Sequence, residues 1–252
     1  MSEVKPAAVP LTRRLVAEGL GTALLTAVVV GSGIAAAELS PNDTGLQLLE
    51  NSIATALGLA VLILIFGPVS GAHLNPVVSV ADWLLTRRRG GGLSGSEALA
   101  HAATQTVGGI AGAVLANVMF DLPAVQVSAK ERLSVGHGIA EVVATAGLVL
   151  LIFALARTGR AALSAAAVGA YIGSAYWFTS STSFANPAVT IGRIFSDTFA
   201  SIAPVSALLF IGSQIVGGLL GLAAVRYLFP DAAATAAQAV LPHTARSLPE
   251  RG

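Results

Sequence analysis

Two short stretches carry residues that could act on a passing solute. Asn186-Pro187-Ala188 lies between two apolar segments, and Asn75-Pro76-Val77 has the same setting earlier in the chain. Asn is a preferred helix N-cap and Pro is favoured at the first helical position, so each pair opens a helix. The first helix ends by residues 86–89, and the second runs to about residue 198, before Pro204 starts a new apolar run. At about 1.5 Å per residue, each spans roughly half of a bilayer core of about 30 Å. A capping Asn accepts backbone N–H bonds through its side-chain oxygen. Its amide NH2 is then free to donate to whatever lies in front of the helix. The chemistry on offer is hydrogen bonding to a neutral oxygen, beside the partial positive charge of a helix N-terminus.

The elements that must place these pairs are membrane spans. Of the 252 residues, 54% are hydrophobic and 11% are charged, whereas a soluble domain carries about 25% charged residues. The mean hydropathy is +0.78. The chain therefore reads as an all-α, polytopic membrane protein. Apolar runs of about 20 residues, the length a bilayer requires, cover residues 15–37, 52–66 with several residues before it, 98–120, 136–156, 162–180 and 204–229. The polar start of the second run is poorly marked. No cleavable signal is expected, since residues 1–10 are polar and the following run is long enough to stay in the bilayer.

The order of marks repeats. Ala17-Glu18 begins the first span as Ala140-Glu141 begins the fourth, and Thr22 matches Thr145. Gln105-Thr106-Val107-Gly108-Gly109 in the third span matches Gln214-Ile215-Val216-Gly217-Gly218 in the sixth, and Phe120 and Phe229 close both at one offset. Three spans per half is an odd number, so the second half enters the membrane from the opposite side. This is an inverted repeat, with halves at 11–120 and 133–230 between tails at 1–10 and 231–252. With the N-terminus inside, eleven of the fourteen Lys and Arg fall on the inner side, leaving Lys130, Arg132 and Arg193 outside. That bias places both termini in the cytoplasm and the chain in the inner (plasma) membrane.

Half-helices that enter from opposite sides and start at mid-membrane meet at their N-termini. Together they make a positive potential that opposes protons and cations. The irregular segments leading in, 67–74 and 181–185, expose backbone carbonyls. Such backbone is tolerated at this depth only where it lines a water-filled cavity or is buried in protein. The resulting path offers donors and acceptors but no place for a charge. There is no cysteine, hence no disulfide, thiolate metal site or thiol nucleophile. No His/Asp/Glu cluster suggests a metal, a cofactor or an enzyme. A net charge of +1 points to no nucleic-acid partner.

These residues make the sequence resemble the aquaporin (major intrinsic protein) family over residues 15–229. The resemblance rests on the two Asn-Pro boxes, on Ser70-Gly71-Ala72-His73-Leu74 before the first, and on the repeated Glu and Gln-x-Val-Gly-Gly marks. It implies six transmembrane helices plus two re-entrant half-helices, one pore per subunit, a homotetramer, and passive flow of small uncharged solutes. Val77 stands where Ala is usual, which implies slightly altered packing at the centre. In that family four positions set the narrowest point, and ungapped counting from the two Asn puts them on Thr55, Ser174, Ser183 and Val189. The residue after the second box is normally Arg; here it is Val189. Four small or medium residues imply a wider, less cationic filter. Within the family, the resemblance is nearest to Val-bearing aquaporins linked to bacterial arsenic detoxification, which conduct neutral arsenite and related metalloid hydroxides. Trivalent arsenic hydroxide is uncharged near neutral pH and carries three hydroxyls, much like a small polyol.

Other residues have two readings each. Glu18 and Glu141 are intramembrane carboxylates, costly unless satisfied. They suit a proton relay or a pair of braces for the re-entrant loops, and repeat symmetry favours braces, with Gln105 and Gln214 beside them. His73 reads as a pore-adjacent, loop-stabilising side chain rather than a ligand or pH switch; His101 and His137 read as interfacial. Arg193, one turn beyond Val189, is expected to be a snorkelling surface arginine. Its alternative is an outer-vestibule cation that partly restores the charge lost at Val189. Asp82 has no evident role. The expected function is a passive channel for metalloid hydroxides and small polyols, with water passing too. A plain water or glycerol channel is the alternative within that class. An ion-coupled secondary transporter also suits an inverted repeat, but two facing N-termini would repel its coupling cation.

Overall fold

The structure, a computed structural model, describes residues 9–88 and 91–230. The expected tails lie outside the described residues apart from residues 9 and 10, as do Lys5, Arg89, Arg246 and Arg251. The described chain is helical and contains no strand. In chain order the helices are α1 (Leu11–Leu39), α2 (Thr44–Ser70), α3 (Pro76–Thr86), α4 (Gly95–Met119), α5 (Val135–Arg157), α6 (Ser164–Phe178), α7 (Pro187–Gly192) and α8 (Pro204–Leu228). Six, counting α6 together with the 3-10 turn Ala161–Leu163 that leads into it, are long and apolar enough to cross a membrane; α3 and α7, which start at the Asn-Pro pairs, are not. Exposed apolar side chains such as Leu57, Val61 and Leu64 on α2, and Leu208 and Leu219 on α8, suit contact with lipid.

The second span begins earlier than its apolar run suggests. Asp43 caps it, accepting from Leu46 N at 2.9 Å. Gln47 and Asn51 look like solvated residues in the sequence, yet both are buried. Gln47 Nε2 donates to Ser40 O at 2.7 Å. Asn51 Nδ2 donates to Val29 O and to Ser32 Oγ, each at 2.9 Å. The polar start of α2 is thus spent on α1 and needs no water.

Small residues let the spans approach backbone to backbone. A Cβ on Gly108 or Gly112 of α4 would collide with the carbonyl of Gly19 or Ala23 on α1. The repeat does the same on the other side, where Gly217 and Gly221 of α8 sit against the carbonyls of Val142 and Ala146 on α5. These two crossings frame the molecule. The half-helices wedge between them, α3 against α4 and α8, α7 against the same pair. The arrangement is an inverted repeat of three spans and a half-helix.

The second half-helix is shorter than expected. It is α-helical only to Gly192, then makes a 3-10 turn over Arg193–Phe195, and is not helical at 198. The reason is competition for its last carbonyls. Ser128 N donates to Ile194 O at 2.9 Å, and Asn117 Nδ2 donates to Phe195 O at 2.9 Å. The end of α4 and the loop after it therefore take acceptors that a longer helix would need.

Gly112→Ala should destabilise the folded protein by about 2–3 kcal/mol, the upper part of the range for overpacking, because a backbone carbonyl blocks the new methyl. Gly212→Ala, with nothing within 4 Å of its Cβ position, should be neutral or stabilise by about 0.5–1 kcal/mol through helix propensity. Thermal melts of the two variants in detergent would show the contrast.

Candidate functional site

Before each Asn the backbone enters the left-handed region at matching positions. Ala72 and Leu74 have φ of 47° and 49°; Ser183 and Ala185 both have 48°. For a residue with a side chain this costs about 1–2 kcal/mol. A buried carboxylate in each half offsets it. Glu18 Oε1 accepts from Ser70 Oγ at 2.6 Å and His73 N at 3.0 Å, and its Oε2 accepts from Leu74 N and Gln105 Nε2, both at 2.7 Å. Glu141 Oε1 accepts from Phe184 N at 2.9 Å, and its Oε2 from Ala185 N at 2.8 Å and Gln214 Nε2 at 2.7 Å. Each glutamine also reaches its half-helix: Gln105 Nε2 donates to Ser79 Oγ at 3.1 Å, Gln214 Nε2 to Thr190 Oγ1 at 2.9 Å. Hydrogen bonds to a charged acceptor contribute about 1.5–3 kcal/mol each, enough to hold the strained loops.

The two Asn cap as expected. Val77 N donates to Asn75 Oδ1 at 3.0 Å, and Ala188 N to Asn186 Oδ1 at 3.0 Å. Their amides are less free than expected. Asn75 Nδ2 donates to Ala185 O at 2.7 Å, and Asn186 Nδ2 donates to Leu74 O at 2.7 Å. One amide hydrogen of each Asn therefore ties the two half-helices together across the centre. The other remains for a solute.

A cavity runs past this joint. Asn75 and Asn186 line it, with Ala72–Leu74 and Ser183–Ala185 from the two loops. Leu25, Val29, Leu148, Ile152 and Val168 form an apolar wall. Among the described residues that line it, none is Asp or Glu, and Arg193 is the one Lys or Arg.

A family model described as major intrinsic protein matches residues 5–184. The chain is 47% identical to the aquaglyceroporin AqpS of Rhizobium meliloti (strain 1021) over 225 residues, 88% of this chain and 92% of that protein. The chain belongs to the major intrinsic protein family. A shorter match, 36% identical over 104 residues, links it to a glycerol uptake facilitator protein of Pseudomonas aeruginosa, covering 41% of this chain and 34% of that protein. The solved aquaglyceroporin of Plasmodium falciparum has the same fold, with a TM-score of 0.65 at 19% identity, covering 88% of this chain and 99% of that one. Major intrinsic proteins are membrane channels rather than enzymes, so this is a multi-pass channel protein. The family match stops short of Asn186, and it is the long match to AqpS that spans both boxes.

Measured against the family pattern, the structure gathers three of the four expected constriction residues. Thr55, Ser183 and Val189 line the cavity; Ser174 does not. Ser174 is exposed on the outside of α6, its Oγ donating to Tyr171 O at 2.8 Å. Tyr176 lines the cavity instead and shares a hydrogen bond of 3.1 Å with Thr55 Oγ1. Two residues along a helix turn the side chain about 200°, so ungapped counting from Asn186 picks the wrong face. With Tyr176 in it, the lining is not the set of four small or medium residues that counting implied.

Arg193 also departs from its expected surface position. It is 2% exposed and lines the cavity. Its Nε donates to Ala200 O, and its guanidinium carbon lies 3.3 Å from the centroid of the Phe184 ring. A desolvated contact of this kind is worth about 2 kcal/mol. Arg132, from the loop before α5, lies over the same ring at 5.2 Å, with Nε donating to Ser201 O at 2.9 Å. Burial holds its pKa below the usual arginine value. Nothing in the sequence marks Tyr176 or Phe184 as cavity residues, or Arg132 as a partner of the Phe184 ring. Asp82 is pinned to the return loop, accepting from Leu93 N at 2.7 Å. His73 lines the cavity and pairs through Nδ1 with Ser79 Oγ at 3.1 Å. His101, expected at the interface, is fully buried 5.8 Å from the His73 ring.

Removing a brace should be costly. Glu18→Ala leaves several buried donors without an acceptor, at about 1–3 kcal/mol each, so little folded protein should survive solubilisation. Glu18→Gln keeps an acceptor oxygen and should lose less; size-exclusion after heating would rank them. Outside the spans, Lys130 gives a pH test. Its residue is exposed, but its ammonium donates to Phe199 O at 2.6 Å, and burial followed by repulsion from Arg132 and Arg193 pushes its pKa down to about 8. It should be charged at neutral pH and neutral above that midpoint. Since the unfolded value is 10.5, its contribution to stability should rise with pH between the two values. NMR titration of methylated lysines should show the midpoint, and Arg132→Gln should raise it.

Proposed function

We propose that the protein is a passive channel for small uncharged solutes: water, small polyols such as glycerol, and metalloid hydroxides such as arsenite. The observation that carries this is the cavity past both Asn-Pro joints, lined by hydrogen-bonding groups and by apolar side chains, with no carboxylate among the described residues that line it. A polyol or a metalloid hydroxide has the matching mixed character. Its hydroxyls replace water bonds at Asn75, Asn186, Thr55 and Tyr176, while its skeleton slides along the apolar wall. Val189 in place of the usual Arg supports solutes wider than water. The names of the relatives, an aquaglyceroporin and a glycerol facilitator, favour the same class. The narrower alternative, a plain water or glycerol channel, keeps the mechanism and drops the metalloid.

An ion-coupled transporter fits less well. Glu18 and Glu141, the carboxylates such a mechanism would use, are fully buried, saturated with loop hydrogen bonds and absent from the cavity lining. We also take the chain to sit in the inner (plasma) membrane with both termini cytoplasmic, as the charge bias suggests. It would assemble as a homotetramer with one pore per subunit, its two channel halves at 11–120 and 133–230.

Stopped-flow measurements on proteoliposomes test the solute range. Arsenite and glycerol should equilibrate much faster than in empty liposomes, with no dependence on an ion gradient. Val189→Arg should cut both by about tenfold or more, on the order of 1.4 kcal/mol at the constriction, while water flow persists. Water flow alone in the natural protein would remove the metalloid and polyol reading. Collapse of uptake with the ion gradient would favour the transporter.

A further inference from the structure

We propose that Arg193 is the constriction cation of this channel, supplied from one helical turn beyond Val189 and oriented by Phe184. The proposal rests on the neutral-solute channel reading. Arg193 belongs to the same cavity as Thr55, Tyr176, Ser183 and Val189. Its position is fixed, with Nε bound to Ala200 O and the guanidinium stacked on Phe184. Phe184 is held in turn by Phe210, edge to face at 4.9 Å. Nε makes the guanidinium's one hydrogen bond among the described residues, which leaves its terminal N–H groups for the cavity. No described carboxylate is in ion-pair contact with Arg193, and Glu141 acts on it only from a longer distance. In the lining of the same cavity, Ser183 Oγ is buried without a partner.

A buried, unneutralised guanidinium sets the potential around it more strongly than a surface charge can. Arg132, over the same ring, adds to it. The pair repels hydronium and metal cations at the mouth and offers N–H donors to a neutral hydroxyl. This geometry separates two properties that an Arg at position 189 would combine. The charge stays near the path, while the wall next to the box is only as wide as a valine. Exclusion of cations is kept and width is released.

Proton and glycerol flux should be measured in the same proteoliposomes, with a pH-sensitive dye inside, for the natural protein, Arg193→Ala, Arg193→Lys and the double variant Val189→Arg/Arg193→Ala. Loss of the charge should raise proton flux about tenfold or more while glycerol still passes. Lysine, which keeps the charge without the planar stack, should leak less than alanine. The double variant should close the leak again and pass less glycerol. A packing defect would not be repaired by an arginine at position 189, so a leak that persists in the double variant overturns the proposal. If Arg193→Ala does not fold, Arg193→Gln, which removes the charge and keeps most of the bulk, takes its place: a proton leak in it supports the proposal, and unchanged proton flux overturns it. Unchanged proton flux in a folded Arg193→Ala protein overturns it and leaves the channel reading intact. Absence of glycerol, arsenite and water flux in the natural protein overturns both.

Discussion

The structure depends on one constraint: two loops must hold left-handed backbone at the middle of a membrane. Ala72, Leu74, Ser183 and Ala185 are not glycines, and water cannot serve their amides at that depth. Glu18 and Glu141 meet the constraint by placing full negative charges against the loop N–H groups. Everything else is arranged to make those charges tolerable. The glycine crossings bring α1 to α4 and α5 to α8 closely enough for Gln105 and Gln214 to complete each cluster. The reciprocal bonds of Asn75 and Asn186 then join two independently braced loops into one rigid centre.

The braces also decide the electrostatics of the path. A carboxylate saturated by four or three donors has little left for a passing cation, and neither glutamate reaches the cavity lining. The positive ends of α3 and α7 do reach it, through the capping asparagines. The interior therefore holds its negative charge in the frame and shows its positive character to the lumen. A neutral molecule with both donors and acceptors meets no net penalty there, whereas a cation loses hydration and gains nothing in return.

Much of this was legible in the sequence because it was written twice. Glu18 and Glu141, Gln105 and Gln214, and the two Asn-Pro pairs recur in the same order in the two halves, so topology, braces and centre could be read together. The constriction was less legible because it is not repeated. Counting falls on Ser174 because the sequence does not show which face of α6 turns inward; the face that does carries Tyr176. The burial of Arg193 depends on Phe184 and on the loop that carries Arg132, contacts between segments far apart in the chain. The length of α7 is illegible in the sequence for the same reason, since its last carbonyls are taken by Ser128 and Asn117. The buried polar start of α2 was obscured because Gln47 and Asn51 look the same whether they face water or α1.

The symmetry is also broken at the joint between half-helix and span, and the residues show how. Gly109 on α4 meets the backbone carbonyl of Ala188, and Gly192 on α7 meets the carbonyl of Gly109, so α7 and α4 touch main chain to main chain. At the equivalent positions of the other half stand Gly218 and Ala81, and Gly218 meets the side chain of Val77 rather than any carbonyl. Val77 in place of alanine, and Ala81 in place of glycine, keep α3 further from α8. An apolar groove lined by Val77, Ala81, Ile215 and Gly218 lies between them. The longer half-helix does not need the tighter contact, because it has 11 helical residues and a far end tied down through Asp82 and Leu93. The shorter one has six helical residues and gives its last carbonyls away. Close backbone packing is what keeps α7 in place, and with it the turn that carries Arg193.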